Sequence, residues 1–180
     1  MLTHLFANQH IDLFYGDESG FDLVPQVSYG WQAKGQYVEI LSRKGGRQNV
    51  FGMFSTCNEF HFYLTAQNID SQFIIDSIDD LCGKIQRPTV LVLDNASIHR
   101  SSIFINKIEQ WMELNLFVFF LPKYSPHLNL IETLWRKIKY EWITVEAYRS
   151  AQHLHRELLF ILNNIGNLFS VNFKELFGSF

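Results

Sequence analysis

The chain has 180 residues, of which 47% are hydrophobic and 16% aromatic, which is enough for one domain with a substantial core and too apolar for a disordered chain. No stretch reaches the ~20 apolar residues of a membrane span, MLTHLFANQHIDLF lacks the layout of a signal peptide, and Cys57 and Cys82 fit free thiols of a cytosolic protein better than a disulfide. The net charge of −3 does not advertise nucleic-acid binding, yet basic residues cluster at Lys34, Arg43, Lys44 and Arg47 and again at Arg136, Lys137 and Lys139.

In chain order, Ile11 to Gly16 reads as a first strand that runs into a turn at Asp17-Glu18-Ser19-Gly20. Trp31 to Leu41 and Asn49 to Ser55 predict two more strands, separated by the turn signal Lys44-Gly45-Gly46. The alternating EFHFYLT of Glu59 to Thr65 predicts another. Asn68 to Cys82 has helical spacing, with Asp70 or Ser71 as N-cap and Gly83 as C-cap. Thr89 to Leu93 is a nearly continuous apolar run, as in a strand buried on both faces. Ser101 or Ser102 caps a predicted helix through Leu114, with Ile105, Ile108 and Trp111 inward. Leu116 to Leu121 is a further buried strand stopped by Pro122. After a YSPHLN loop, Ile131, Leu134, Trp135, Ile138 and Trp142 mark one face of a helix, and a last helix covers roughly Ser150 to Asn164. This order predicts one α/β domain with a mixed sheet, antiparallel early and parallel later.

Three carboxylates have settings that point to chemistry. Asp17 and Asp94 each close an apolar run, and Glu132 opens an amphipathic helix. If the strands before the two aspartates lie side by side, their acids meet at one sheet edge, where α/β proteins usually place sites. Clustered acids repel one another, so at least one pKa is expected to rise without a cation. Such a cluster suits Mg2+ or Mn2+, which prefer oxygen ligands. Two such ions about 4 Å apart can activate an attacking oxygen and stabilise the leaving oxygen in phosphodiester chemistry. Asp94→Asn is then expected to abolish cleavage with the fold intact or slightly stabilised. Against this reading, Asp17 and Asp94 are also ordinary turn formers, and the helix dipole favours Glu132 in any case.

Other residues carry weaker signals. Glu18 is a spare ligand or, more simply, points away. Asn95 and His99 either contact DNA phosphate, orient Asp94 by hydrogen bond, or only shape a polar helix entry. Asn129 is read first as a helix cap and second as a contact to the scissile region. Tyr124 and Ser125 carry hydroxyls able to touch DNA backbone. Arg136, Lys137 and Lys139 either grip phosphates or form a solvated face. Trp111, Trp135 and Trp142 are read as core.

The blocks GDESGF, W-x-x-KGQ, LDNASIHRS, LPKYSPHLNLIETLWRKIKYEW and ILNNIG resemble the catalytic domain of bacterial insertion-sequence transposases of the mariner superfamily, from about Leu13 to the C-terminus. The resemblance implies an RNase H-like fold, a mixed five-stranded sheet flanked by helices, and a DDE triad at Asp17, Asp94 and Glu132. It also implies two Mg2+ ions per site, with Mn2+ able to substitute, nicking at element ends, transfer of the freed 3'-hydroxyl into target DNA, and action as a homodimer on DNA. His127 departs from the acidic residue that relatives often have there. Relatives carry helix-turn-helix modules before this domain. With the first strand about ten residues from Met1, the expectation is a truncated or split-gene product, or an excised domain, without end recognition of its own. A separate helix-turn-helix protein then supplies that recognition. The expected location is cytoplasmic, at the nucleoid when bound to DNA. The competing readings are a transposase remnant that binds DNA or a protein without cutting, and a general RNase H-like nuclease.

Overall fold

The computed structural model describes residues 2–24, 34–35, 45–123 and 125–173; the expected Trp31–Leu41 strand and the Lys44 turn position fall almost wholly outside them. A short helix α1 (Leu2–Ala7), not anticipated from the sequence, precedes strand β1 (Asp12–Phe21). Strands β2 (Gln48–Phe54) and β3 (Phe60–Thr65) follow, then helix α2 (Ser71–Cys82), strand β4 (Thr89–Leu93), helix α3 (Ser102–Glu113) and strand β5 (Leu116–Phe120). The chain closes with helix α4 (Ile131–Lys137), a π-helical segment (Ile138–Trp142) and helix α5 (Ala151–Asn163).

The five strands form one sheet in the order β3-β2-β1-β4-β5. The β1–β2 and β2–β3 pairs are antiparallel, whereas β1–β4 and β4–β5 are parallel. The mixed sheet read from the sequence is therefore the observed one. β1 differs from expectation in its length. No turn forms at residues 17–20, because β2 continues to pair with β1 from Tyr15–Phe54 through Phe21–Gln48. The parallel ladder with β4 stops earlier, at Tyr15–Val92. Asp17 thus lies within a strand, but just where β1 loses its second neighbour.

Two apolar layers sandwich the sheet. Leu13, Tyr15, Val50, Phe54, Val90 and Val92 pack beneath α4 and α5 with Leu134, Trp135, Leu154 and Leu158. Phe14, Phe51, Met53, Leu91 and Leu93 pack against α2 and α3 with Ile74, Ile78, Phe104 and Trp111. Even- and odd-numbered residues of β1 and β4 divide between the layers, as the two-residue period of a strand requires.

The caps fall where side chains can satisfy free helix N–H groups. Asp70 Oδ1 accepts from Phe73 N at 2.9 Å, and Ser101 Oγ accepts from Phe104 N at 3.4 Å. Along α3 the inward positions differ from expectation: Phe104 and Trp111 are fully buried, whereas Ile105 is 42% exposed. The cap at Ser101 fixes the helix phase, and that phase turns Phe104 rather than Ile105 to the sheet. Trp111 also spends its indole N–H on Asp79 Oδ1 at 2.7 Å. Phe104→Ala is expected to cost roughly 3–5 kcal/mol, and Ile105→Ala less than about 1 kcal/mol. Urea unfolding of the two variants checks this order; equal costs would contradict the helix phase.

Candidate active site

Register brings the first two acids together. Asp17 and Asp94 each stand two residues beyond the paired Tyr15–Val92 positions of adjacent parallel strands. Tyr15 and Val92 belong to the layer under α4 and α5, so a step of two from Tyr15 points Asp17 toward α4. Glu132 sits in the first turn of α4, exposed above that layer. Asp17 is close enough to both other acids to sense their charges. Burial, and then the negative charges of Glu18, Glu132 and Asp94, raise the Asp17 pKa to about 8, against a weaker opposing pull from the Glu18 backbone N–H. The expected rise of one carboxyl pKa therefore falls on Asp17.

Asp94 is in the opposite condition. Its Oδ1 accepts from the Ala96 N–H and from His99 Nδ1, both at 2.9 Å. The hydrogen bond from His99 leads in holding its pKa below the ordinary value, despite partial burial. His99 is fully buried, and its second ring nitrogen donates to Glu18 Oε1 at 2.9 Å. Burial alone would lower the His99 pKa, but its hydrogen bonds to Asp94 and Glu18 outweigh it and raise the value to about 9. Two carboxylate acceptors require both ring nitrogens to carry protons. The imidazolium thus ties β1 to the end of β4 and orients Asp94. Glu18 points away from α4, as its place in the strand dictates, and serves as the far anchor of this bridge.

The remaining candidates sort by contact. Asn95 donates through Nδ2 to the Leu121 carbonyl and accepts from Arg100 Nη1 at 2.7 Å, so its amide secures the end of β5. Asn129 does not cap α4. Its Nδ2 donates to the Gly16 carbonyl at 3.0 Å, while its backbone carbonyl accepts from Glu132 N at 3.1 Å. The buried Asn129 Oδ1 has no hydrogen-bond partner among the described residues, leaving an acceptor open to bound water. Lys137 pairs with Glu141 at 2.7 Å and Arg136 is exposed, as on a solvated face. Lys139 differs from both. It lies 5.3 Å from the Phe21 ring centre, where burial lowers its pKa and the charges of Glu132 and Asp17 resist that lowering. Ser125 lines a cleft of about 450 Å³ with Asp94, Asn95, Ala96, Leu121, Pro122 and Lys123. Tyr124 lies outside the described residues.

Lys139 lies in a segment where the helix changes its winding. The single helical face expected from Ile131 to Trp142 ends at Lys137. A π-helical turn follows, closed by Ile143 N to Ile138 O at 3.0 Å. Such turns displace side chains from the α-helical phase and are frequent at functional sites.

Sequence reasoning missed Trp135, assigning it to the core alone. It is 2% exposed, and its Nε1–H donates to Asp17 Oδ2 at 3.1 Å. The available signal was chemical: a buried indole N–H needs an acceptor. Trp135 also follows Glu132 by three residues, a same-face helical spacing.

The donor set fits a hard divalent cation. Among the described residues no side chain donates to Asp17 Oδ1 or Asp94 Oδ2, and no hydrogen bond or ion pair engages the Glu132 carboxylate. All three acids thus present free oxygen, the ligand type of Mg2+ and Mn2+. Among the described residues no three His, Cys, Asp or Glu side chains stand together closely enough to hold a metal ion by themselves, and the three acids match the cation in donor chemistry only. Magnesium commonly retains several waters and substrate oxygens, so an open protein shell suits it.

The two aspartates respond oppositely to neutralisation. Asp17 is raised from 3.8 to about 8, so its contribution is full below 3.8 and is lost as pH rises through about 8. His99 is raised from 6.5 to about 9, so its contribution is full below 6.5 and is lost as pH rises through 9. These two groups together are therefore expected to cost the metal-free protein stability as pH rises from 3.8 to 9, both acting between 6.5 and 8. Asp17→Asn should stabilise it by ~1–3 kcal/mol above pH 8. Asp94→Asn should instead destabilise it by about 1 kcal/mol, a value discounted because the Asp94 side chain is 45% exposed. This reverses the sequence-based expectation for Asp94→Asn. Chelator-treated samples unfolded in urea across this pH range check both signs; stabilisation by Asp94→Asn would contradict the assigned charge states.

Comparison with known proteins bears on the family and the fold. The insertion element IS630 uncharacterized 39 kDa protein of Shigella sonnei is 24% identical over 131 residues, covering 70% of this chain and 37% of that protein. The chain therefore spans little more than a third of that curated relative's length. The crystal structure of the Mos1 mariner paired end complex with Mn superposes with a TM-score of 0.60 at 17% identity, over 90% of this chain and 52% of that one. The Mos1 strand transfer complex gives 0.58 at 16% identity, over 90% and 51%. At these identities the fold is what is shared, and it is the RNase H-like fold of transposase and integrase catalytic cores. Residues 12–155 match the DDE superfamily endonuclease family, and the chain belongs to that family.

Proposed function

We propose that this chain is the catalytic domain of a DNA transposase, cleaving phosphodiesters at element ends and joining the freed 3'-hydroxyl to target DNA with Mg2+ or Mn2+. One observation carries the reading. A chain of the DDE endonuclease family brings Asp17, Asp94 and Glu132 to one edge of its sheet, where Asp17 feels the charges of the other two. Family membership supports nuclease and transferase chemistry, and the Mn of the similar Mos1 paired end complex supports a divalent ion. The number of ions is proposed as two. The acting unit is proposed as a homodimer on DNA, with end recognition supplied by helix-turn-helix modules or a separate protein carrying them.

In this reading Asp17, Asp94 and Glu132 hold the metal, which supplies Lewis-acid activation of the attacking oxygen and stabilisation of the leaving oxygen. The chain's own residues do the rest. Asp17 would hold the metal as a carboxylate, in exchange for the proton that its raised pKa favours. His99 keeps Asp94 ionised and fixed through Oδ1, presenting Oδ2. Lys139, beside Asp17 and Glu132, and Lys123, on the cleft next to Asp94, place positive charge where phosphates flank the scissile bond. Lys137 is occupied by Glu141 and drops out of the DNA-contact set. Asn95 and Asn129 act on the protein rather than on DNA.

Nicking and strand transfer of pre-cut duplexes carrying the element's ends test this. Cleavage is expected with Mg2+ or Mn2+ and to be lost on chelation. Asp94→Asn and Glu132→Gln should each reduce it by roughly 10³-fold or more. Asp76→Asn, an exposed acid of α2, should leave it unchanged. Lys139→Ala should weaken DNA binding across sequences and reduce the salt slope by about one. DNA binding without metal-dependent cutting would favour the remnant reading. Preference for an RNA–DNA hybrid would favour a general nuclease.

A further inference from the structure

The contacts of α4 with β1 show how one acid is held relative to another. Glu132 stands between two anchors, each three residues away on the α4 entry. Asn129 grips the Gly16 carbonyl at 3.0 Å, and Trp135 reaches Asp17 Oδ2 at 3.1 Å. Both anchors end on consecutive residues of β1. The indole can reach Asp17 only because β2 makes room. Gly52 pairs directly with Asp17 across the sheet. A Cβ at Gly52 would lie 2.7 Å from Trp135 Cη2, 2.9 Å from its Cζ2 and 2.8 Å from Phe60 Cε2. The ring is further boxed by edge contacts with Phe21 and Phe60, at centroid distances of 6.2 and 6.1 Å.

We propose that Gly52, Trp135 and Asn129 form a docking device that sets the position of Asp17 relative to Glu132, with Trp135 as the positioning residue for Asp17. This rests on the metal-site reading above and adds the part of the chain that tunes it. Gly52 provides the notch, the Cζ2–Cη2 edge of the ring seats in it, and the N–H next to that edge fixes the Asp17 carboxylate. Asn129 locks the start of the same helix to the preceding residue of the same strand. Glu132, carried between the two anchors, inherits its distance from Asp17. Partners that orient metal ligands commonly change metal affinity by 10–100-fold when removed.

Calorimetric titration of the full chain with Mn2+ tests the proposal without recourse to turnover. Asp17→Asn comes first: an isotherm that is absent in wild type, or unchanged by this variant, overturns the metal-site reading and the device with it. With that site in place, Trp135→Phe keeps the ring and removes the N–H, and is expected to weaken Mn2+ binding roughly tenfold or more. Gly52→Ala changes no acid, yet should weaken it similarly by displacing the indole. Leu158→Val, in the same layer, should lower the melting temperature and leave Mn2+ affinity unchanged. A folded Trp135→Phe with wild-type affinity overturns the proposal. Should Trp135→Phe fail to fold, the wild type decides. Its Trp135 indole N–H resonance, assigned through contact with Gly52, should shift on addition of Mg2+. A resonance unmoved at Mg2+ saturation overturns the proposal as well.

Discussion

Repulsion between carboxylates at one sheet edge is the constraint around which this structure is arranged. Burial first, and then the charges of Glu18, Glu132 and, least of all, Asp94, raise the pKa of Asp17 to about 8. A protein with no use for such a cluster would scatter these acids into solvent, where each is solvated at little cost. Here the neighbours divide the load. His99 draws Asp94 and Glu18 into a buried bridge with a cation at its centre. Lys139 stands off the other side, where the charges of Glu132 and Asp17 favour its charged form. Asp17 receives only neutral donors, the Trp135 indole N–H and the Glu18 backbone N–H, and keeps much of the strain of the cluster. One acid is thus left in a poorly compensated place, which is the condition a bound cation relieves.

The sheet makes this arrangement rigid. Because β1 and β4 are parallel and in register through Tyr15–Val92, their next same-face positions are Asp17 and Asp94. A slip of one residue would turn Asp17 to the opposite layer and separate it from α4. The antiparallel extension of β1 along β2 stops Asp17 from fraying once β4 has ended. On the far face, His99 follows Asp94 by five residues in the 3-10 turn of Ser97–Arg100, and Phe104 of the following helix packs beside its ring. The same short segment therefore closes the α2/α3 layer and supplies the counter-ion to Asp94.

Much of this was legible in the sequence, and the reasons are specific. Thr89–Leu93 and Leu116–Phe120 announce themselves because strands buried on both faces are continuous apolar runs. Asp70 and Ser101 announce the starts of their helices by cap chemistry. The three acids were legible from motif blocks as candidates, and the strand order accounts for Asp17 and Asp94 ending up on neighbouring strands. The misread positions all depend on partners distant in sequence. GDESG has turn composition, yet pairing with β2, some thirty residues on, keeps it extended. Asn129 has cap composition, yet a strand carbonyl 113 positions away takes its amide. Trp135 has core composition and is core, but its polar atom answers to an acid 118 positions away. The π-turn after Lys137 has no compositional signature and appears only in the hydrogen-bond pattern.

The difference between the two aspartates bears on the order of events at the proposed site. Asp94 is already ionised and fixed at neutral pH, since His99 and the Ala96 N–H hold Oδ1 and leave Oδ2 free. Asp17, with a pKa near 8, is mostly protonated at neutral pH in the absence of a cation. At the proposed site, ligation of Asp17 would therefore release a proton, whereas ligation of Asp94 would not. Such a site would be half prepared, with one acid ionised beforehand and the other giving up its proton to the incoming charge. The fold thereby avoids holding three bare carboxylates together in the empty state, which repulsion would oppose most strongly. It keeps the cluster assembled by leaving one member neutral until a cation arrives.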